Sequence, residues 1–207
     1  MDLIFATANQ NKLNEAKSIL GNSFTLIMPK ELGYLEDIPE TGKTLEENSM
    51  QKCLKVFDLF GKDCFADDTG LEVEALDGAP GVFSARYADG WGDSPTSTHN
   101  HLNNMLKLLS ELERVEHEGI YNRNARFRTV VTLCYNGKFY TFEGVVNGMI
   151  TKDMRGKNGF GYDPIFLPNG YNRTIAQMSN QEKNAISHRG VAIRKVAEFL
   201  THSIPTK

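Results

Sequence analysis

Apolar residues recur along the chain in two rhythms, and the switches between them mark out its elements. Leu3 to Ala6 is a short continuous apolar run, which reads as a buried strand. Leu13, Ala16 and Leu20 then fall at helical spacing, and Gly21 stops the helix they predict. Phe24 to Met28 predicts a second strand, followed by a polar stretch through Gly42 that reads as loop. Thr44 opens a second helix, with Met50, Cys53, Leu54 and Phe57 on one face and Gly61 at its end. Asp63 to Ala66 predicts a short strand. Gly70 to Tyr87 reads as irregular, with turns forced by Gly78, Pro80 and Gly81. A third helix would bury Leu102, Met105, Leu106, Leu109 and Leu112.

The clearest local pattern lies further on. Phe127, Thr129, Val131, Leu133 and Tyr135 alternate with Arg128, Val130, Thr132 and Cys134. Asn136-Gly137 supplies a two-residue turn and Lys138 to Val146 returns, which is a β-hairpin. The last helix spans about His188 to Thr201, with Ile193, Val196, Ala197 and Leu200 inward. Early βα units followed by a hairpin predict a mixed α/β sheet. No repeat or linker interrupts the pattern, so residues 1–207 are expected to form a single domain.

With 40% hydrophobic and 24% charged residues, the composition is that of an ordinary globular protein. A net charge of -3 excludes a basic coat for a nucleic acid polymer, so lysine and arginine act locally if they act on phosphate. No run is long enough to span a membrane, and the N-terminus lacks a basic segment before an apolar one. The expectation is a cytoplasmic protein. Cys53, Cys64 and Cys134 have no C-x-x-C spacing and sit in apolar patterns, as buried free thiols do.

Five segments carry candidate chemistry, and each has two readings. Thr7 to Lys12 lies where the first strand hands over to the first helix. Free N–H groups and the positive end of the helix dipole suit phosphate oxygens there, and Lys12 adds a full charge. The same residues suit plain N-capping by Asn9 or Asn11 beside a solvated lysine. Neither G-x-x-x-x-G-K-[ST] nor G-x-G-x-x-G is present. Thr44-Leu45-Glu46-Glu47 matches a capping box. Yet the spacing from Glu47 to Met50 and Leu54 puts its carboxylate on the apolar stripe, where a metal ion would satisfy it. Asp67-Asp68 follow a strand, so alternation turns only one of them toward a site, while Thr69-Gly70 equally suits a turn. Phe160-Gly161-Tyr162-Asp163-Pro164 either offers an aromatic face or packs in a turn. Lys183, His188 and Arg189 either converge on an anion and a base edge or form a solvated face. Ser179-Asn180-Gln181-Glu182 matches a capping box that starts a helix there.

Taken together, from Thr7 to Arg189, these segments resemble the inosine triphosphate pyrophosphatase family. The most specific strings are Ala66-Asp67-Asp68-Thr69-Gly70-Leu71 with Gly78 to Tyr87, and Gly159 to Pro164 with Ala185 to Gly190. The resemblance implies an elongated α/β fold, a long mixed sheet with helices and two lobes flanking a nucleotide-binding cleft, usually as a homodimer. It implies that Thr7, Asn9 and Lys12 hold a triphosphate, with Ala8, Gln10 and Asn11 in the same loop and Lys52 assisting. Glu47 and Asp68 would bind Mg2+, with Asp68 activating water and Asp67 facing away. Phe160 would stack on a purine beside Gly161 and Tyr162, with Thr69, Asp163 and Lys183 completing the pocket. His188 and Arg189 would lie near the base edge, Arg189 reading a 6-oxo group. The implied reaction is hydrolysis of non-standard purine nucleoside triphosphates (dITP, ITP, XTP, dXTP) to the monophosphate and pyrophosphate. Two other functions stand beside it: a pyrophosphatase of similar fold for modified pyrimidine nucleotides, and a non-catalytic nucleotide sensor. The His188-Arg189 pair and the Phe160 segment argue against the first, and both Glu47 and Asp68 against the second.

Overall fold

The computed structural model describes residues 1–92 and 100–203. The elements run β1 (Asp2–Phe5), α1 (Gln10–Leu20), β2 (Thr25–Ile27), α2 (Leu45–Phe60), β3 (Cys64–Val73), β4 (Pro80–Gly81), α3 (His101–His117), β5 (Asn124–Tyr135), β6 (Lys138–Ile150), β7 (Phe166–Pro168), α4 (Asn180–Ile186) and α5 (His188–Ser203). The strands form one mixed sheet in the order β2-β1-β3-β5-β6-β7, with β4 on β3. β1 pairs parallel with β2 and β3, as the expected βα units require. β3 pairs antiparallel with β4, and β6 with β7. The hairpin turn falls at Asn136-Gly137, both with positive φ (50° and 70°).

The chain divides into two compact units. Of the described residues, the first comprises 1–68, 129–145 and 186–203, and the second comprises 69–92, 100–128 and 146–185. In the first unit the sheet is apolar on both faces, as parallel strands flanked by helices are. Leu3 and Phe5 of β1 and Phe65 of β3 pack with Leu13, Ala16 and Leu20 of α1 and Ile193, Val196 and Leu200 of α5. Ile4, Ala6, Cys64 and Ala66 turn the other way, toward Cys53 and Val56 of α2 and toward Cys134. Alternation along β3 therefore sends odd positions to α1 and α5, and even positions to α2. The three cysteines are buried and unbonded to one another as disulfides.

Four elements differ from their sequence reading. β3 does not stop at Ala66 but runs to Val73, carrying Asp67, Asp68, Thr69 and Gly70 as strand residues rather than a turn. Gly70 is needed for another reason: a Cβ there would lie 2.7 Å from the Gly81 carbonyl oxygen on β4. The buried stripe of α2 is Leu45, Asn48, Ser49, Lys52, Cys53 and Val56, while Met50 and Leu54 are exposed. Polar side chains occupy this stripe because each finds a partner. Ser49 Oγ, for example, donates to the Ala66 carbonyl at 3.1 Å and accepts from the Thr132 N–H at 2.8 Å. In α3 the buried residues are Asn104, Met105, Leu108, Leu112 and Val115, with Leu102 and Leu106 exposed. Asn104 rotates that helix by tying down the segment after β4. It donates to the Ala85 carbonyl at 3.0 Å and accepts from the Ala88 N–H at 2.7 Å. Finally, the polar stretch after β2 holds a short 3-10 turn at Pro29–Leu32.

Candidate active site

In the first unit, β1 ends at Phe5, and Thr7 Oγ1 accepts from the Asn9 N–H at 3.1 Å. Asn9 then caps α1, its Oδ1 accepting from the N–H groups of Asn11 at 2.9 Å and Lys12 at 3.2 Å. Ala8, Gln10 and Asn11 are exposed. The capping reading therefore holds for Asn9, but the lysine beside it is not solvated. Lys12 Nζ donates to Asp67 Oδ1 at 3.0 Å.

Asp67 is the hub of a buried network. Its Oδ2 accepts from Arg189 Nε at 2.9 Å, and the guanidinium also bonds Glu15 on α1. Arg189 is 2% exposed and Asp67 1%, so this pair is shut away from water. Burial alone would raise the Asp67 carboxyl, yet Lys12 and Arg189 together hold it well below the ordinary carboxylate range. Asp67 thus faces away from the side that Asp68 takes, as strand alternation predicts, and is turned onto Lys12 and Arg189.

On the opposite face of β3, Asp68 Oδ1 accepts from Lys52 Nζ at 3.1 Å and its Oδ2 accepts from Asn48 Nδ2 at 3.2 Å. Lys52 also pairs with Glu40. Burial dominates here and pushes the Asp68 carboxyl above its ordinary value, against the pull of Lys52 and Lys12. Burial lowers Lys12 despite Asp67. For Lys52 burial is again the largest influence, but Asp68 and Glu40 outweigh it and raise the ammonium.

Glu47 is exposed rather than on a buried stripe. Its Oε2 accepts from the backbone N–H groups of Lys43 at 2.5 Å and Thr44 at 3.2 Å, completing the capping box of α2. That leaves its Oε1 without a hydrogen bond among the described residues. Among those residues no cluster of three or more His, Cys, Asp or Glu is arranged to hold a metal. Magnesium asks for less than that. It binds through one or two carboxylates and completes its shell with water and phosphate oxygens. Glu47 and Asp68 carry hard carboxylate oxygens, the kind of ligand that magnesium takes.

Also in this unit, Ser187 caps the start of α5, its Oγ accepting from the Gly190 N–H at 3.0 Å. His188 opens the helix, buried, with Nδ1 2.5 Å from Thr129 Oγ1 on β5.

The second unit holds the aromatic cluster. Asp163 is buried and accepts twice on Oδ2, from the Phe160 N–H at 2.8 Å and from Lys183 Nζ at 2.7 Å. The Lys183 ammonium in turn sits 4.5 Å from the Phe160 ring centroid, within cation–π range. Gly159 has φ +78°, and a Cβ on it would lie 2.0 Å from Asp163 Oδ2. The turn therefore admits this carboxylate only because position 159 is glycine. Phe160 is half-buried, with the His101 ring 6.3 Å away. Tyr162 is buried and its Oη donates to the Ser84 carbonyl at 2.9 Å, which makes it a tie within the unit. Thr69 is half-buried on β3 and Gly161 sits in the Phe160 turn. A polar cavity of about 480 Å³ in the same unit is lined by Glu72, Glu74, Asn124 and Arg126 among others, and by none of the expected site residues.

A match to the Ham1 family covers residues 3–199. The chain belongs to the Ham1 family. Among curated Ham1-like relatives, the dITP/XTP pyrophosphatase of Flavobacterium psychrophilum is 48% identical over 199 residues, covering 96% of this chain and 98% of that one. The dITP/XTP pyrophosphatase of Porphyromonas gingivalis is 46% identical over 198 residues and 96% of both chains. Among solved structures, the Staphylococcus aureus Ham1 protein matches with a TM-score of 0.84 at 36% identity, over 99% of this chain and 100% of that one. A HAM1 protein from Coxiella burnetii matches with a TM-score of 0.86 at 37% identity, over 98% and 99%.

Three polar residues of this Ham1 chain escaped the sequence reading: Glu15, Glu40 and Asn48. Two of them had a signal. Asn48 and Lys52 are four apart on α2 among Leu45, Cys53 and Val56, so they share its buried face. Glu15 stands three residues after Lys12, one turn along α1. Glu40 lies in irregular chain before α2 and offered no periodicity to read.

Proposed function

We propose that this chain is a magnesium-dependent pyrophosphohydrolase that splits non-standard purine nucleoside triphosphates such as dITP and XTP into the monophosphate and pyrophosphate. The observation that carries this reading is the full-length likeness to relatives that bear the name dITP/XTP pyrophosphatase.

In this scheme water attacks at the bond between the α and β phosphates, and the β-phosphate leaves with the γ as pyrophosphate. Asp68 takes the water's proton. It is the carboxylate with a neutral amide on one oxygen, and only Lys52, shared with Glu40, on the other. Lys12 and Lys52 face the charge that develops on the phosphates, and Asp67, Asp68 and Glu40 hold those ammonium groups in place before substrate arrives. Glu47 and Asp68 would hold Mg2+, which when bound neutralises phosphate charge and makes its water more acidic. Phe160 supplies a flat apolar face for a purine, its turn fixed by Asp163. His188 and Arg189 stand at the start of α5, near the base edge, with the Arg189 guanidinium held by Asp67 and Glu15. The enzyme works as a cytoplasmic homodimer; light scattering on the purified chain tests the assembly.

The decisive experiment incubates the purified protein with dITP, XTP, dATP and a modified pyrimidine triphosphate, with and without magnesium. Released pyrophosphate and monophosphate are then measured. Rapid equimolar release from dITP and XTP, absent without metal, is expected. Binding without turnover would make the chain a sensor, and preference for the pyrimidine would move it to the other enzyme class.

A further inference from the structure

We propose that Asn48 is a positioning residue for the reaction, one that fixes the plane of the Asp68 carboxylate. The inference rests on the hydrolytic reading above, in which Asp68 takes the water's proton. Asn48 is wholly buried on α2, and both ends of its amide are occupied. Oδ1 accepts from the Gly42 N–H at 2.8 Å, and Nδ2 donates to Asp68 Oδ2 at 3.2 Å. The direction of the amide is forced. A backbone N–H can only donate, so the atom that meets Gly42 is the oxygen, and the NH2 group is left for Asp68. The Gly42 segment comes close to do this. A Cβ at position 42 would lie 2.8 Å from Asn48 Oδ1 and 2.6 Å from the Glu47 Cβ.

Lys52 lies one turn further along α2 and donates to the other oxygen, Asp68 Oδ1, at 3.1 Å. One face of the helix thus grips the carboxylate at two points, which fixes its plane. Each oxygen gives a lone pair to its donor and keeps another, so the group can still accept a proton but can no longer turn. The second grip is an amide for a physical reason. A second ammonium there would hold the carboxylate equally well but would draw off its basicity. An apolar side chain would leave one oxygen of a buried carboxylate without a partner and the plane free to rotate. Asn48 supplies direction without charge.

The test is a double-mutant cycle on dITP hydrolysis, with kcat and KM measured for wild type, Asn48→Leu, Asp68→Asn and the double variant. Leucine is close to asparagine in size and carries no donor. Asn48→Leu should lower kcat about ten- to hundredfold, the scale of one hydrogen bond to a charged group, with KM nearly unchanged. In the Asp68→Asn background the same change should cost almost nothing, because the carboxylate through which Asn48 acts is gone. An equal loss in both backgrounds, or a raised KM with kcat held, would overturn the inference and leave Asn48 as a tie for the Gly42 segment. Should Asn48→Leu not fold, Asn48→Asp decides, since it keeps an acceptor for the Gly42 N–H and takes the amide donor from Asp68. Its kcat should fall on the same scale, and a wild-type kcat would overturn the inference. Wild type that releases no pyrophosphate from dITP sinks the hydrolytic reading and this inference together, whereas active wild type with additive losses sinks the role of Asn48 alone.

Discussion

Asp67 and Asp68 are the same residue type, adjacent on one strand and both buried, yet their surroundings treat them oppositely. Asp67 faces α1 and α5 and meets two full cations, Lys12 and Arg189. Asp68 faces α2 and meets one lysine, which it shares with Glu40, and the neutral amide of Asn48. Burial opposes ionisation of both. On the first face the cations win and the carboxyl is held low; on the second burial wins and the carboxyl is raised. The difference lies in the number and kind of partners. A guanidinium is always charged and delivers its charge through directed N–H donors, whereas an amide brings none. One face therefore stores a fixed charge that organises its neighbours, and the other a carboxylate with basicity to spare. Carboxyl pairs driven apart in this way mark a division of labour.

Asparagine substitutions should split the two faces most sharply. Asp68→Asn keeps the size and one acceptor but loses the base, so kcat/KM on dITP should fall by about 10²–10⁴-fold. Its melting temperature should stay close to wild type. Asp67→Asn should do the reverse in kind. It leaves Arg189 and Lys12 short of a counter-charge in a buried setting, at a cost of about 3–5 kcal/mol. Melting should drop by roughly 10 °C for a chain of this size. Single-turnover hydrolysis at saturating magnesium, beside thermal melts of both proteins, reads the contrast. An active Asp68→Asn with a dead but stable Asp67→Asn would reverse the two roles.

The aromatic cluster of the second unit provides a milder contrast. Phe160→Ala removes a half-buried ring and no charge. KM should rise about ten- to hundredfold, as loss of one base–aromatic stack implies, with kcat and melting nearly unchanged. A folded variant with unaltered KM would remove Phe160 from base binding.

Alternation and helical spacing made much of this fold legible before any coordinates. The βα units, the Asn136-Gly137 hairpin, both capping boxes and the inward stripe of α5 follow from local chemistry alone. What misled was polarity inside elements. Asp67, Asp68, Thr69 and Gly70 look like a turn, and only a neighbour able to pair them makes them strand. Asn48, Ser49 and Lys52 look like a wet face, and α2 buries them because Asp68, Ala66 and Thr132 are waiting. Met50 and Leu54 are displaced outward by the same rotation. Apolar periodicity locates a core, but buried polar pairs join residues distant in sequence, and a single chain carries no local mark of the partner. Arg189 shows how distant such partners are: its motif marks it as a site residue, while Asp67 and Glu15, which hold its guanidinium, lie far away in sequence.

The smallest predicted effect compares the outer carboxylates that complete each face. Glu40 pairs with Lys52 but keeps about a third of its side chain exposed, 32%, against 13% for Glu15 beside Arg189. Water screens the Glu40 pair, so Glu40→Gln should cost only about 0.5–1 kcal/mol, or about 2 °C in melting. Glu15→Gln should cost more, because Arg189 is nearly sealed. The pH dependence has a definite sign. Burial would raise the Glu40 carboxyl, but Lys52 lowers it below its ordinary value. A group whose folded value is depressed stabilises fully above its unfolded value, near pH 4.3 for glutamate, and loses that contribution as pH falls through the folded value. The melting difference between wild type and Glu40→Gln should therefore be constant from pH 6 to 8 and shrink as pH falls through about 4. Scanning fluorimetry across that range measures it. A gap that widened on acidification would mean that Glu40 is protonated more readily in the folded protein than in the unfolded chain. In that case Lys52 would not be its counter-ion.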